Sequence, residues 1–216
     1  MKILIACEES QEVCKAFRKL GHETYSCDIL DCSGGHPEWH IKGDVLKHLD
    51  EGWDLMIAFP PCTYISRAGT RWLFPKGELN KERYEKGLKT KEFFMTLLNA
   101  NIPRIVIENP VPHKVFKMPK ETQIIQPFYF GHKSQKTTLL WIKDLPKLQS
   151  TNTLSREINP EYYICNKGWK HSKFTANWDA KKKSKTFSGI AKAMAEQWGN
   201  QSELKKQIGT IKVHNR

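Results

Sequence analysis

The sequence predicts an α/β fold with a Rossmann-like, mainly parallel central sheet and helices on both faces. Short apolar segments alternate with helical patterns in the order strand, helix, strand, loop, strand, helix, strand, which is typical of βαβ units. The strands are continuously apolar, as expected for a parallel sheet covered on both faces. A chain of 216 residues is long enough to bury a core around such a sheet.

The predicted elements follow from hydrophobic periodicity and from the residues that interrupt it. Prolines and glycines stop several of them, with Gly21 ending the first helix and Pro60–Pro61 ending the third strand. In order, we expect strand Ile3–Cys7, helix Ser10–Leu20, strand Glu23–Cys27, loop Cys32–Trp39, strand Leu55–Phe59, helix Lys81–Ala100, strand Arg104–Glu108, strands Gln123–Phe130 and Thr138–Ile142 as an edge hairpin, and helix Phe187–Trp198.

A single domain is expected over residues 1–200, with a short irregular insert at about 146–185 and a basic tail at 201–216. The insert combines aromatic residues with lysines, a composition that can stack bases and hold phosphates or form a small satellite core. Its aromatic residues are Tyr162, Tyr163, Trp169, Phe174 and Trp178.

The net charge of +12 is unevenly distributed along the chain. Residues 1–60 contain 6 Lys/Arg and 11 Asp/Glu, whereas residues 165–216 contain 12 Lys/Arg and 3 acids. A basic surface of this size favours a polyanionic partner, and the sequence therefore predicts binding of nucleic acid or a nucleotide.

The sequence favours a cytoplasmic protein without a membrane segment. No apolar run approaches the roughly 18 residues of a membrane span, and a first strand at Ile3 leaves no room for a signal peptide. The six cysteines are scattered, so we expect reduced thiols rather than disulfides. The oligomeric state is not indicated.

Polar residues follow the predicted strands where ligands bind in open parallel sheets, beyond the carboxyl ends. They are Glu8–Ser10, Asp28, Asp44, Pro60–Cys62 and Glu108–Asn109. We expect them to converge on one edge of the sheet.

Two of these residues could carry chemistry. The double proline presents Cys62 on a stiff turn, where a thiolate would be a nucleophile, although a cysteine can also simply pack beneath such a turn. Glu108 ends a strand of β-branched residues, where burial would raise its pKa and suit it to proton donation. A structural, ion-paired Glu108 is the alternative.

Pro-Pro-Cys after one strand and Glu-Asn-Pro after a later one resemble the motifs of the DNA cytosine-5 methyltransferases, in particular short members often found in phages. The resemblance covers about Met1 to Gly199. It implies that Cys62 adds to carbon 6 of cytosine and that Glu108 contacts ring nitrogen 3 and the exocyclic amine. Carbon 5 then accepts a methyl group from S-adenosylmethionine, and the substrate is DNA or a cytosine nucleotide.

The resemblance also implies a cofactor site. Asp28 would lie near the ribose, Asp44 would contact the adenine, and Phe187 would begin the last cofactor-proximal motif. The first motif contains Cys7, Glu8 and Ser10, and Pro60 completes the predicted set.

The chain departs from the family pattern in three places. The first motif, residues 6–11, has no glycine where the family has several. The stretch 131–137 has lysines where the family has a Gln-x-Arg-x-Arg motif, and Lys136 is the candidate to take the role of the missing arginines. The target-recognition region is only about 40 residues long.

These departures leave alternatives open. One is the same chemistry on single-stranded DNA or a free cytosine nucleotide, and another is an inactive relative that binds nucleic acid or a protein partner. A methyltransferase that modifies amino groups is a further alternative, although an aromatic residue then follows the prolines instead of Cys62. A loose zinc-like spacing joins Cys27, Cys32, His36 and His40, but Cys27 lies beside the expected cofactor acid, and we expect a polar loop and no metal.

Overall fold

The computed structural model describes residues 1–154, 164–165, 168–169 and 185–200. The predicted tail at 201–216 lies outside the described residues. So does most of the predicted insert, including Tyr162, Tyr163, Phe174 and Trp178.

Nine strands and four helices are present in the described part of the chain. The strands are β1 Lys2–Ala6, β2 Glu23–Asp28, β3 His40–Lys42, β4 Leu55–Ala58, β5 Ile105–Pro110, β6 Gln123–Ile125, β7 Thr138–Lys143, β8 Ile164–Cys165 and β9 Gly168–Trp169. The helices are α1 Glu12–Lys19, α2 Thr70–Leu73, α3 Lys81–Leu98 and α4 Ser188–Gly199.

The main sheet has seven strands in the order β3-β2-β1-β4-β5-β7-β6. The first five strands in this order are parallel, and β7 runs antiparallel between β5 and β6. The predicted Rossmann-like α/β fold is therefore confirmed. The chain moves outward from β1 to β3 and then returns to β4 on the other side of β1. Open α/β sheets bind ligands where the strand order reverses in this way, here beyond the carboxyl ends of β1 and β4.

Helices cover both faces of the sheet, as the apolar strands indicated. Alternate residues of β1 point to opposite faces. Ile3 and Ile5 belong to the core cluster that includes Phe17 of α1 and Trp198 of α4. Leu4 belongs to the second cluster, which includes Phe94 and Leu97 of α3.

Three local features differ from the sequence-based expectations. Strand β3 was not predicted, because three residues carry no measurable periodicity. Strand β6 stops at Ile125 rather than Phe130, since Pro127 begins a 3-10 turn and cannot donate to a ladder. The short pair β8–β9 lies inside the segment that was expected to be irregular.

None of the helices in the described residues is both long and apolar enough to cross a lipid bilayer.

Candidate active site

The turn that carries Cys62 begins where β4 leaves the sheet. Phe59 still donates its backbone N–H to the carbonyl of Ala6, at 2.9 Å, and Pro60 is buried. The carbonyl of Cys62 then accepts the backbone N–H groups of Ile65 at 3.1 Å and Ser66 at 2.9 Å. Cys62 therefore starts a tight turn at the carboxyl edge of the sheet, and its side chain remains partly accessible.

The loops that follow β4 and β5 are held together by hydrogen bonds. The amide of Asn109 donates from Nδ2 to the carbonyl of Pro60 at 3.0 Å. Further along, the backbone N–H of Arg67 donates to Val111 and that of His113 donates to Ile65, at 2.9 and 2.7 Å. The Pro-Pro-Cys segment is thereby fixed against the Glu-Asn-Pro segment.

Glu108 lies within β5, one position beyond Ile107, which pairs with the last residue of β4. Burial raises the pKa of the Glu108 carboxyl above its ordinary value. The positive charge of Lys136 and a hydrogen bond with Thr138 act in the opposite direction. Burial of this kind favours the protonated carboxyl, the form that can donate a hydrogen bond to a ring nitrogen.

The thiol of Cys62 belongs to the same electrostatic cluster. Burial raises its pKa, and the neighbouring charge of Glu108 raises it further, whereas Lys136 favours the thiolate. Lys136 thus acts on both Glu108 and Cys62, and Glu108 also acts on Cys62. The structure brings together Cys62, Glu108 and Lys136, which lie 74 positions apart at the extremes.

Lys136 reaches this edge because β7 is antiparallel. Strand β7 begins at Thr138, which pairs with Pro110 at the carboxyl end of β5. The segment just before β7 therefore meets the end of β5. The sequence predicted β7 as part of an edge hairpin but did not indicate that it pairs with β5.

A second group of acidic residues surrounds the end of β1. Burial raises the pKa of the Cys7 thiol, and Asp28, Cys27 and Asp44 add to this effect. The backbone of Gly43 donates to the carbonyl of Asp28 at 2.9 Å, which brings the segment after β3 to the end of β2. The predicted cofactor residues Cys7, Asp28 and Asp44 are thus neighbours.

Glu8 has a structural task that its sequence position did not indicate. Its two carboxylate oxygens accept the backbone N–H groups of Val13 at 2.7 Å and Cys14 at 3.1 Å, and so satisfy the start of α1. The side chain is 5% exposed, and burial raises its pKa to about 7. Glu8 would therefore affect a bound cofactor indirectly, by holding the start of α1 in place.

The glycine-free first motif adopts backbone conformations that glycine normally supplies. Cys7 has a φ of 58° and Gln11 a φ of 57°, both in the left-handed region. Gln11 is fully buried, donates to the carbonyl of His36 at 2.8 Å and accepts from the His36 backbone at 3.1 Å. Gly34 makes this packing possible, because a Cβ there would lie 2.4 Å from the Cβ of Gln11.

Three other predicted cofactor residues are largely enclosed. Ser10 is buried beside Gln11, and Pro60 is buried with its carbonyl bound to Asn109. Phe187 is 9% exposed and its ring lies 5.0 Å from that of His132. His132 also accepts the backbone N–H of Gly189 at 2.8 Å, which fixes the start of α4.

The zinc-like spacing does not produce a cluster. His40 places Nδ1 2.9 Å from the hydroxyl of Ser26 and Nε2 2.9 Å from the carbonyl of Leu30. His36 stacks on Trp39 with ring centroids 3.8 Å apart. Within the described parts of the chain, no three His, Cys, Asp or Glu side chains are grouped so that they could hold a metal ion.

No protein-family model matches the chain, and no curated protein matches it. Among solved structures, 43 chains match. One is a crystal structure of a candidate DNA modification methyltransferase encoded within a prophage of E. coli, with 12% identity and a TM-score of 0.39. The match covers 65% of this chain and 45% of that one, so the chain spans less than half of its length. The fold assignment rests on the strand order and connections described above.

Proposed function

We propose that the protein is an S-adenosylmethionine-dependent methyltransferase that acts on carbon 5 of cytosine in DNA. The observation that carries the proposal is the grouping of Cys62 with Glu108 and Lys136 at the carboxyl edge of the sheet, where the Asn109–Pro60 hydrogen bond joins the two loops and both charged groups act on the thiol. A second acidic group, Asp28 and Asp44, lies around the end of the adjacent strand β1. The proposed nucleophile site and the candidate cofactor site therefore lie at the carboxyl ends of the neighbouring strands β4 and β1.

Cys62 is proposed to add to carbon 6 of the cytosine ring. Addition places negative charge on the ring, and a protonated Glu108 stabilises it by donating a hydrogen bond to nitrogen 3. Lys136 supports the thiolate before attack, since its positive charge lowers the pKa of Cys62. Carbon 5 becomes nucleophilic as a result. Once carbon 5 carries the methyl group, loss of its proton to solvent would expel the Cys62 thiolate and restore the ring. Covalent catalysis of this kind divides one difficult step into two easier ones.

The residues around β1 suit a cationic nucleoside. S-adenosylmethionine, when bound, supplies an electrophilic methyl group. One oxygen of Asp28 accepts the N–H of Leu30 at 2.9 Å and one oxygen of Asp44 accepts that of Leu46 at 3.0 Å, so both carboxylates are oriented by their own backbone. The second oxygen of each carboxylate can accept a hydrogen bond from a ribose hydroxyl or from the adenine amine. The left-handed backbone at Cys7 and Gln11 provides the sharp turn at this site.

The nucleophile is tested by methyl transfer to cytosine-containing DNA from radiolabelled S-adenosylmethionine. Cys62→Ser should abolish transfer, because a serine hydroxyl is far less ionised than a thiol near neutral pH. Cys32→Ser is the matched control, since Cys32 is also partly accessible but lies outside the cluster. Transfer undiminished by Cys62→Ser would reject Cys62 as the nucleophile, and a methyl group found on the exocyclic amine would indicate the amino-methyltransferase alternative.

The cofactor site is tested separately by titration calorimetry. Asp28→Asn and Asp44→Asn should each weaken binding of S-adenosylmethionine by about five- to tenfold, as expected for losing one charge interaction near the surface. Asp50→Asn removes an exposed acid from the same acidic region and should leave the affinity unchanged. Absence of any binding by the unmodified protein would favour the inactive nucleic-acid-binding alternative.

A further inference from the structure

An aromatic and basic cluster with two exposed members, Arg71 and Trp72, and two half-buried members lies beside the Cys62 turn. Its members are Tyr64, Arg71, Trp72 and Arg83, which we call the Trp72 cluster. The Arg71 guanidinium lies 3.9 Å from the ring centroid of Trp72. The Arg83 guanidinium lies 5.7 Å from that centroid and 5.1 Å from the ring centroid of Tyr64. Trp72 is nevertheless 50% exposed, which is unusual for the largest apolar side chain.

The cluster is attached directly to the catalytic turn. Arg83, on α3, donates from Nη2 to the carbonyl of Thr63 at 2.7 Å, and Thr63 immediately follows Cys62. Gly69 provides the room for this contact, because a Cβ there would lie 2.9 Å from Nη2 of Arg83. The same guanidinium thus contacts the turn on one side and approaches Trp72 on the other.

The charge of this region suits a nucleic acid strand. Residues 63–91 contain eight Lys/Arg and three Glu. Glu82 is paired with Lys86 at 2.6 Å, whereas neither Arg71 nor Arg83 forms an ion pair with a residue that the structure describes. Both guanidinium groups can therefore contact phosphates without first breaking an ion pair to a described acid.

We propose that the Trp72 cluster binds single-stranded nucleic acid next to the base held at Cys62. An exposed indole ring can stack on a base only if that base offers its face, and the faces of bases in a duplex are already stacked on their neighbours. Arg71 and Arg83 would neutralise the phosphates on either side of the stacked base. This inference rests on the proposed function for its placement of the target base, but the stacking itself needs no cytosine.

The test is fluorescence anisotropy with labelled oligothymidylate and, separately, a labelled dA·dT duplex. Neither probe contains cytosine, so binding is measured independently of methyl transfer. Trp72→Ala should weaken oligothymidylate binding by about tenfold, as expected for losing one base–aromatic stack. Trp72→Phe retains a stacking ring and should recover most of the affinity. Ile124→Ala, at an equally exposed position on β6, should have no effect.

The salt dependence gives a second readout. Arg71→Gln should reduce the slope of log K against log salt for oligothymidylate by about 0.7, the contribution of one phosphate on a single strand. Unchanged oligothymidylate binding by Trp72→Ala would overturn the inference, and so would an equal loss for the duplex, since a duplex cannot use the stacking ring. If Cys62→Ser loses methyl transfer but still binds oligothymidylate, both proposals are supported. If the unmodified protein binds oligothymidylate through Trp72 but transfers no methyl group, only the proposed function is rejected.

Discussion

The side chain of Asn109 donates a 3.0 Å hydrogen bond from Nδ2 to the backbone carbonyl of Pro60. Both residues are buried, and Asn109 is only 1% exposed. Cys62 lies two residues after Pro60 and Glu108 lies one residue before Asn109. This bond therefore fixes the Cys62 turn relative to the Glu108 carboxyl group, and it ties the ends of two neighbouring parallel strands together.

Removing that bond should loosen the site and the fold together. Asn109→Ala leaves the Pro60 carbonyl buried without its partner, which typically costs about 1–3 kcal/mol of unfolding free energy. Urea denaturation measures this loss, and methyl transfer should fall with it because Cys62 and Glu108 lose their fixed separation. Asn101→Ala, at an exposed position after α3, is the control and should leave both quantities unchanged. An Asn109→Ala variant of full stability would show that the bond has no such role.

The reactivity of Cys62 should respond in opposite directions to its two charged neighbours. Lys136→Met removes a positive charge that lowers the pKa of the thiol, so alkylation at a fixed alkaline pH should become slower. Glu108→Gln removes a negative charge that raises this pKa, so alkylation should become faster. The measurement is the rate of iodoacetamide modification of the Cys62 peptide by mass spectrometry.

The thiol of Cys32 in the same samples provides an internal reference for this comparison, because it is partly accessible and lies apart from the cluster. Its rate should not change in either variant. If both substitutions changed the Cys62 alkylation rate in the same direction, the cause would be a looser structure around Cys62 and not the charges of Glu108 and Lys136. The proposed electrostatic coupling would then be rejected.

The sheet could be predicted from the sequence because its central strands are apolar on both faces. Ile3, Leu4 and Ile5 are all fully buried, and such segments are recognisable without any tertiary information. Strand β3 could not be predicted, since it is defined by pairing Ser26 with His40 rather than by its own composition. The position of Lys136 was suggested by motif order alone, and its physical cause is the antiparallel direction of β7.

The candidate site was only partly predictable for a related reason. Residues at strand ends, such as Cys62 and Asp28, are placed by the fold class itself. The helix-capping role of Glu8 and the support of Gln11 for His36 depend on hydrogen bonds between segments, which leave no periodic pattern in the sequence. Gly34 is the residue that could have indicated the close contact with Gln11. In the sequence, however, a glycine at this position indicates only that secondary structure is interrupted. The Trp72 cluster lay in a stretch without any recognised motif.

Glu8 should make the stability of the fold depend on pH. Burial raises the pKa of the folded-state carboxyl to about 7 from its ordinary value of 4.5, so between these pH values the folded state holds a proton that the unfolded state has already released. The unfolding free energy should therefore decrease as pH rises from about 4.5 to 7, by roughly 3 kcal/mol from this group. Urea denaturation across this range measures the decrease.

Glu8→Gln should lose that pH dependence, because an amide does not titrate. Other carboxyls with a raised pKa, including Glu108, remain in both proteins, so the difference between the two stability curves isolates Glu8. Glu92→Gln, an exposed substitution on α3, should leave the curve parallel to that of the unmodified protein. A parallel curve for Glu8→Gln as well would show that the carboxyl titrates normally in the folded state.

The left-handed backbone at Cys7 should determine which substitutions are tolerated there. Cys7→Val places a β-branched side chain at a φ of 58° and should lower the unfolding free energy by about 1–2 kcal/mol. Cys7→Gly suits this conformation and should be better tolerated than valine. Cys27→Val makes the same thiol-to-valine change in the extended backbone of β2, where valine is favoured, and should cost less than Cys7→Val. Thermal denaturation of the three variants measures their order of stability. A Cys7→Val protein as stable as Cys27→Val would mean that the chain can leave the left-handed conformation at Cys7 without losing stability.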